Sequence, residues 1–432
     1  MNRGFYTIMA AQFFSALADN ALLIAAIVLL RDVYNSQEYA PLLKFYFTVS
    51  YVVLAAFVGA FADSMPKGRV MLISNTIKIG GCALLLFHVD PLLAYAIVGL
   101  GAAAYSPAKY GILTELLPPN KLVVANAWIE GLTVSAIILG VLLGGWLLQA
   151  PTSTFLLSFD FPRFDTPIDT AVEATIAIIG VFYLLAALFN LYIPNTGVDH
   201  KPLKSNPWYL LRDFSHCVKL LWLDKLAQIS LSVTTLFWAA GATLQFIVID
   251  WAKHALGLGV EDAAVLQAWA ALGIAAGSIL AAFVVPIHRA LRVLPVGMIM
   301  GILVCGMIGI HDQTNAKIML VLIGMAAGFF VVPMNAMLQH RGHILVGAGH
   351  SIAVQNFNEN LGILIMVGTY YLLSQANVSI NGAILLFGLF VATTMLLVMN
   401  WHRCNVARHG AEIEKLLDVA RTSAHPSTKG HP

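Results

Sequence analysis

Twelve stretches of the chain are almost continuously apolar. They run over about residues 5–30, 42–62, 70–87, 91–113, 121–149, 171–193, 226–250, 262–286, 293–310, 317–338, 350–374 and 380–401, with short polar breaks between them. A helix that crosses a bilayer needs about 20 mostly apolar residues, and each stretch approaches that length. The strict apolar/polar alternation of a membrane β-barrel is absent. Open strands would leave backbone groups unsatisfied in lipid. The pattern therefore predicts an all-α membrane protein with twelve transmembrane helices. The first stretch is the least regular, because Asp19-Asn20 interrupts it.

The longest interior break, residues 194–225, is rich in Pro and Lys. It predicts an amino-terminal six-helix bundle over 1–193, a linker over 194–225 and a carboxy-terminal six-helix bundle over 226–401. Residues 402–432 read as a polar tail with a short helical pattern (AEIEKLLDVA) and a loose Ser/His/Pro end.

Composition narrows the class. Hydrophobic residues make up 59% of the 432 and charged residues 11%, against roughly 25% charged in a soluble domain. That is too little charge to cover a soluble core, which argues against soluble enzymes, disordered chains and nucleic-acid binders. The net charge of +2 says less than its distribution. With the amino terminus in the cytoplasm, all Lys and Arg except Arg31, Lys44, Arg163, Lys253 and Lys317 fall on the cytoplasmic side. In this tally Lys78 and Lys109 count as cytoplasmic. The positive-inside rule prefers that orientation, with both termini cytoplasmic. Acids such as Asp160, Asp165, Asp169, Glu261 and Asp262 then lie outside, and only Asp19, Glu130 and Glu359 fall within spans. The four cysteines are scattered without metal-site spacing, which predicts reduced thiols.

Polar residues in the apolar stretches repeat between the halves. Pro107 and Lys109 match Pro333 and Asn335 at an offset of 226. Asn126 matches Asn356 at 230, and Glu130 matches Glu359 at 229. A weaker echo links FFSALADNALL to LFWAAGATLQF. Parallel repeats of six spans place a substrate site at their interface.

Several positions carry candidate chemistry. A charge at a helix centre costs roughly 2.5–3.5 kcal/mol on insertion scales, so Asp19, beside Asn20, calls for a partner or a wet cavity. It serves either a cationic group of the substrate or a structural pair with a base such as Lys109. Lys109, two residues after the helix-kinking Pro107, either receives a phosphate or snorkels to the interface. Asn126 with Glu130, and Asn356 with Glu359, each share a helix face, as a substrate site or as a symmetric gate lock. After the second stretch, Gly59, Asp63, Lys67 and Arg69 fit the loop signature GxxxDxxx(R/K)G(R/K). Such a loop pairs an acid with bases to brace a closed gate, or Asp63 caps a helix amino terminus; a plain tight turn is the bland alternative. Gln245 follows Gly241, which permits close helix approach.

These motifs together, FFSALADNALL, VGLGAAAYSPAKYGIL, GFFVVPMNAMLQHRG and VGAGHSIAVQNFNEN, resemble the bacterial lysophospholipid transporters of the major facilitator superfamily over about residues 8–400. The resemblance implies a bacterial inner-membrane flippase. It would move lysophosphatidylethanolamine and lysophosphatidylglycerol from the periplasmic to the cytoplasmic leaflet, where an acyltransferase/acyl-carrier-protein synthetase remakes the diacyl lipid. It implies membrane lipids as partners, a monomer, no cofactor and no catalytic residues, and it makes Asp19, Asn20 and Lys109 polar-site residues. Gln245 stands where family members carry Arg, so a phosphate contact there shifts toward Lys109. A second reading is a proton-coupled drug or metabolite exporter of the same fold, with Asp19 or Glu130 carrying the proton. A third, a membrane acyltransferase, lacks its His-x4-Asp motif. No P-loop is present.

Overall fold

The computed structural model describes residues 3–34, 40–158, 168–204, 206–258 and 260–422. Arg163, Asp160, Asp165 and the end of the tail, including Lys429, lie outside the described residues. Every predicted apolar stretch is helical. In chain order the helices are α1 (Arg3–Tyr34), α2 (Ala40–Val53), α3 (Ala55–Asp63), α4 (Lys67–Leu86), α5 (Pro91–Leu116), α6 (Leu122–Leu148), α7 (Ala150–Leu157) and α8 (Ala171–Leu191). They continue as α9 (Pro207–Leu223), α10 (Ala227–Ala255), α11 (Val260–Val284), α12 (Leu294–Gly306), α13 (Gln313–Leu345), α14 (Ala348–Gln375) and α15 (Ile380–Thr422). Among the described residues there are no strands.

Among the described residues, ten helical segments are long and apolar enough to span a membrane, and α2 with α3 forms an eleventh, broken by a 62° bend. The bend falls at Leu54, whose backbone sits at φ −94° and ψ 0°. The remaining stretch, over 350–374, is α14; it has the length (28 residues) but less apolarity, because Gln355, Asn356, Asn358, Glu359 and Asn360 crowd its first half. Two elements go beyond the expected pattern. The segment read as a linker contains α9, an amphipathic helix whose Leu210, Phe214, Cys217 and Leu221 are buried at helical spacing. The segment read as a tail extends α15 to Thr422, across a kink at His409.

The helices form two compact units. The first comprises Met1–Leu116, Ser135–Phe214 and Ala348–Ala353; the second comprises Leu117–Val134, Ser215–Gly347 and Val354–Pro432. In the first unit, α1, α2, α4, α5 and α8 pack around Ala21, Leu22, Leu43, Val98, Ile176 and Ile179. In the second, α11 and α13 lie closest. Gly273 and Gly277 of α11 press on the backbone of Val321 and Met325, while Gly324 and Gly328 of α13 press on Ala270 and Ile274. Lipid is as apolar as any side chain, so helices gain little by burying Leu against Leu; small residues spaced four apart let backbones meet instead.

Candidate functional site

In the first unit, Asp19 lies on α1 one turn after Ser15, and Lys78 lies on α4 one turn after Asn75, so each helix presents a polar pair on one face. The Lys78 ammonium donates to Asp19 Oδ1 at 2.8 Å, to Oδ2 at 2.9 Å and to Ser15 Oγ at 3.0 Å. Ser15 Oγ donates to Asn75 Oδ1 at 2.8 Å, and Tyr183 of α8 donates its hydroxyl to Asp19 Oδ1 at 2.7 Å. The Lys78 charge also stands 5.0 Å from the Tyr105 ring centre and 5.4 Å from that of Tyr183, within cation–π range. The Lys78 side chain is 1% exposed, whereas the Asp19 side chain keeps 22% exposure. The pair is thus a neutralised charge whose acidic side chain is the more accessible of the two.

This corrects the charge tally. Lys78 belongs to the interior of a span and not to the cytoplasmic surface, and Asp19 pairs with it, not with Lys109. A lysine inside a predicted span was the signal that could have found it. The backbone makes room for the pair: a methyl at Gly101 of α5 would stand 2.8 Å from both the Lys78 Cγ and the Ser74 carbonyl oxygen. Asn20 turns to its own helix and donates to the Ala16 carbonyl at 2.8 Å. Lys109 sits 4.2 Å from the Tyr110 ring centre and is half-buried.

A second polar cluster in the first unit is built on Asp63, at the end of α3. Its Oδ1 accepts from Lys67 Nζ and from the Gly349 backbone N–H, both at 2.7 Å. Its Oδ2 contacts His350 Nδ1 at 2.7 Å and accepts from the His350 backbone N–H at 3.0 Å. A carboxylate offers about four lone-pair sites, and all four are engaged. Asp63 therefore caps the first turn of α14, where the helix dipole favours an anion. Lys67, itself buried, also reaches the Ala62 carbonyl at 2.6 Å and Glu115 at 3.4 Å. His350 Nε2 lies 3.4 Å from Asp213. Gly59 lies against Ala353, where a methyl would stand 2.8 Å from the Ala353 Cβ. Arg69 is exposed, and among the described residues no ion pair forms there. Lys67 has joined the cluster; Arg69 has not.

The polar residues of the second unit are paired mainly as amides. Asn126 and Gln339 exchange two hydrogen bonds, at 2.9 and 2.8 Å, with both side chains buried. Gln355 Nε2 donates to Asn335 Oδ1 at 2.9 Å and to Glu359 Oε1 at 2.7 Å. Glu130 and Asn356 are buried in the same unit. Gln245 is exposed on α10 and meets Gln267, donating to its Oε1 at 3.1 Å. Arg341 pairs with Asp224 at 2.5 Å. Sequence reasoning missed Gln339, Gln355, Glu115 and His350, all of which are polar residues in or beside apolar stretches.

The sequence model of the Major Facilitator Superfamily matches residues 8–367. The chain is 38% identical over 382 residues to "Lysophospholipid transporter LplT" of Yersinia enterocolitica, covering 88% of this chain and 89% of that protein. It is 38% identical over 373 residues to the protein of the same name from Yersinia pestis, covering 86% and 87%. Among solved structures, the human organic anion transporter MFSD10 (TETRAN) superposes with a TM-score of 0.73 at 14% identity, covering 93% of this chain and all of that one. The transporter FucP in its outward conformation superposes with a TM-score of 0.69 at 15% identity, covering 92% and 97%. At such identities the structural likenesses speak for the fold alone.

Proposed function

This chain belongs to the Major Facilitator Superfamily, and from that premise we propose that it is a lysophospholipid transporter of the bacterial inner membrane. It moves lysophosphatidylethanolamine and lysophosphatidylglycerol from the periplasmic to the cytoplasmic leaflet and does no chemistry on them. The observation that carries this reading is the Asp19–Lys78 pair, a neutralised charge in apolar surroundings whose Asp19 side chain stays partly exposed. The identity to proteins named as lysophospholipid transporters supports it.

A lysolipid presents one phosphate, one apolar tail and, in the ethanolamine form, one ammonium. Asp19 attracts the ammonium. Lys78 holds Asp19 in place through hydrogen bonds to both carboxylate oxygens, because an unpaired charge in an apolar setting is costly. Lys109 meets the phosphate. The tail stays against the apolar helices and in lipid. For lysophosphatidylglycerol, which has no ammonium, the Asp19–Lys78 pair stays closed and the phosphate contact dominates. In this reading the chain is a monomer of twelve spans with both termini cytoplasmic, and its product is consumed by a cytoplasmic acyltransferase. The halves over 1–193 and 226–401, joined through 194–225, rock about the substrate. The Asp63 cap on α14 is the latch that forms and breaks as they do.

The test uses the purified full chain in liposomes with labelled lysophosphatidylethanolamine and a labelled diacyl control. The lysolipid should change leaflets and the diacyl lipid should not. Movement of neither, with proton-driven efflux of a small molecule, overturns the reading in favour of an exporter.

A further inference from the structure

A cavity of about 430 Å³ opens in the second unit where α10 and α14 end and α15 begins. It is lined by Asp250, His254, Tyr370, Ser374, Asn377 and Ser379, with an apolar side of Val378, Ile380 and Ala383. Its volume falls in the range of ligand pockets, roughly 300–1,000 Å³. None of the polar residues named for the transport site above belongs to it.

The electrostatics of the cavity favour a cation. Asp250 supplies a carboxylate, and no Lys or Arg lies among the described lining residues. The Tyr370 hydroxyl donates to Asp250 Oδ2 and fixes the carboxylate against the wall. His254 Nδ1 lies 2.8 Å from the Asp250 carbonyl oxygen. A carbonyl only accepts, so Nδ1 carries the hydrogen. The last turns of α10 and α14 both end here, each bringing the partial negative charge of a helix carboxy terminus. The start of α15 opposes them with one partial positive end. Asn377 holds the wall open: its φ of +55° turns the chain between α14 and α15, a left-handed conformation that Asn tolerates. The resulting set of one carboxylate, the Tyr370, Ser374 and Ser379 hydroxyls and an apolar side suits an ammonium attached to an amphiphile.

We propose that this cavity is a second headgroup site, binding the ammonium of a zwitterionic lysolipid. The proposal rests on the reading of the chain as a lysophospholipid transporter for the source of the ammonium. Asp250 forms the charge-assisted contact, Tyr370 positions it, and Val378, Ile380 and Ala383 face the glycerol and first methylenes.

The test places a trifluoromethyl tag on Gln375→Cys, beside the cavity and exposed, in full-length protein carrying Cys404→Ser. Lysophosphatidylethanolamine and lysophosphatidylglycerol are titrated in micelles and the fluorine resonance is followed. The ethanolamine lipid should half-saturate the shift at about tenfold lower concentration than the glycerol lipid, the scale of one charge-assisted hydrogen bond. Asp250→Asn should erase that preference, Asp250→Glu should retain it and so control for folding, and Asp19→Asn should leave it in place. Equal response to both lipids, or a preference that survives Asp250→Asn, overturns the site. An equal shift with free ethanolamine overturns the lipid source, and a shift with calcium alone overturns the ammonium. An Asp250-dependent preference in protein that moves no lysolipid in liposomes sinks the transport reading and leaves the site standing. Transport without the preference sinks the site alone.

Discussion

The two units solve the same problem with different chemistry. In the first, the buried polar groups are ions: Lys78 against Asp19, and Lys67 against Asp63 and Glu115. In the second, the polar groups at the repeat-matched positions are mostly amides: Asn126 against Gln339, and Gln355 against Asn335 and Glu359. An amide left without its partner costs about 1–3 kcal/mol. An ion stripped of its partner costs more, about 3–5 kcal/mol when buried. The first unit therefore holds groups whose pairing must be kept or replaced by a substrate charge. The second, apart from its buried Arg341–Asp224 ion pair, holds amides that exchange partners cheaply. A transporter needs both kinds, a site that commits to a charged headgroup and contacts that can be remade as the protein moves.

That contrast can be broken in steps. The largest effect belongs to Lys78→Ala, which strands Asp19 and should lower stability by about 3 kcal/mol, read as a fall in the thermal midpoint in detergent. Adding Asp19→Asn to Lys78→Ala should recover most of the loss. No recovery would mean that Lys78 acts through packing and not through charge. Next comes Asp63→Ala, which removes the cap from α14 and leaves Lys67 facing Glu115. A loss of about 2 kcal/mol is expected, and hydrogen exchange at Gly349 and His350 should rise more than at the end of α14. Gly101→Ala crowds Lys78 without touching a charge, so about 1–2 kcal/mol is expected from overpacking. Lysophosphatidylethanolamine uptake should fall with it, and unchanged uptake would separate the pair from transport. The smallest effect is in the second unit. A double-mutant cycle on Asn126→Ala and Gln339→Ala should give a coupling of about 0.6 kcal/mol, the membrane average. A coupling above about 2 kcal/mol would erase the difference between the units.

Much of this was legible in the chain because lipid demands long apolar runs, so each run of the pattern corresponds to a helix. What escaped was what hydropathy does not encode. The 62° bend at Leu54 sits in an unbroken apolar stretch with no Pro or Gly beside it. The amphipathic α9 was hidden by the polar residues of its open face. Lys78 stands within a span, where its place is owed to a partner and not to the charge bias that sorts the loop residues. Asp63 read as a cap or as one side of an ion pair, and it is both. The helix it caps, 286 residues away in sequence, could not be read from spacing, because that contact depends on how helices pack.

If Asp19 receives the headgroup ammonium, its loss must fall unequally on the two lipids. Wild-type protein and Asp19→Asn are reconstituted side by side, and initial rates of lysophosphatidylethanolamine and lysophosphatidylglycerol movement are measured at matched protein levels. The ethanolamine lipid should lose more, about tenfold for one charge-assisted contact, and the glycerol lipid less. Equal losses for both would contradict that role and reduce Asp19 to a structural partner of Lys78.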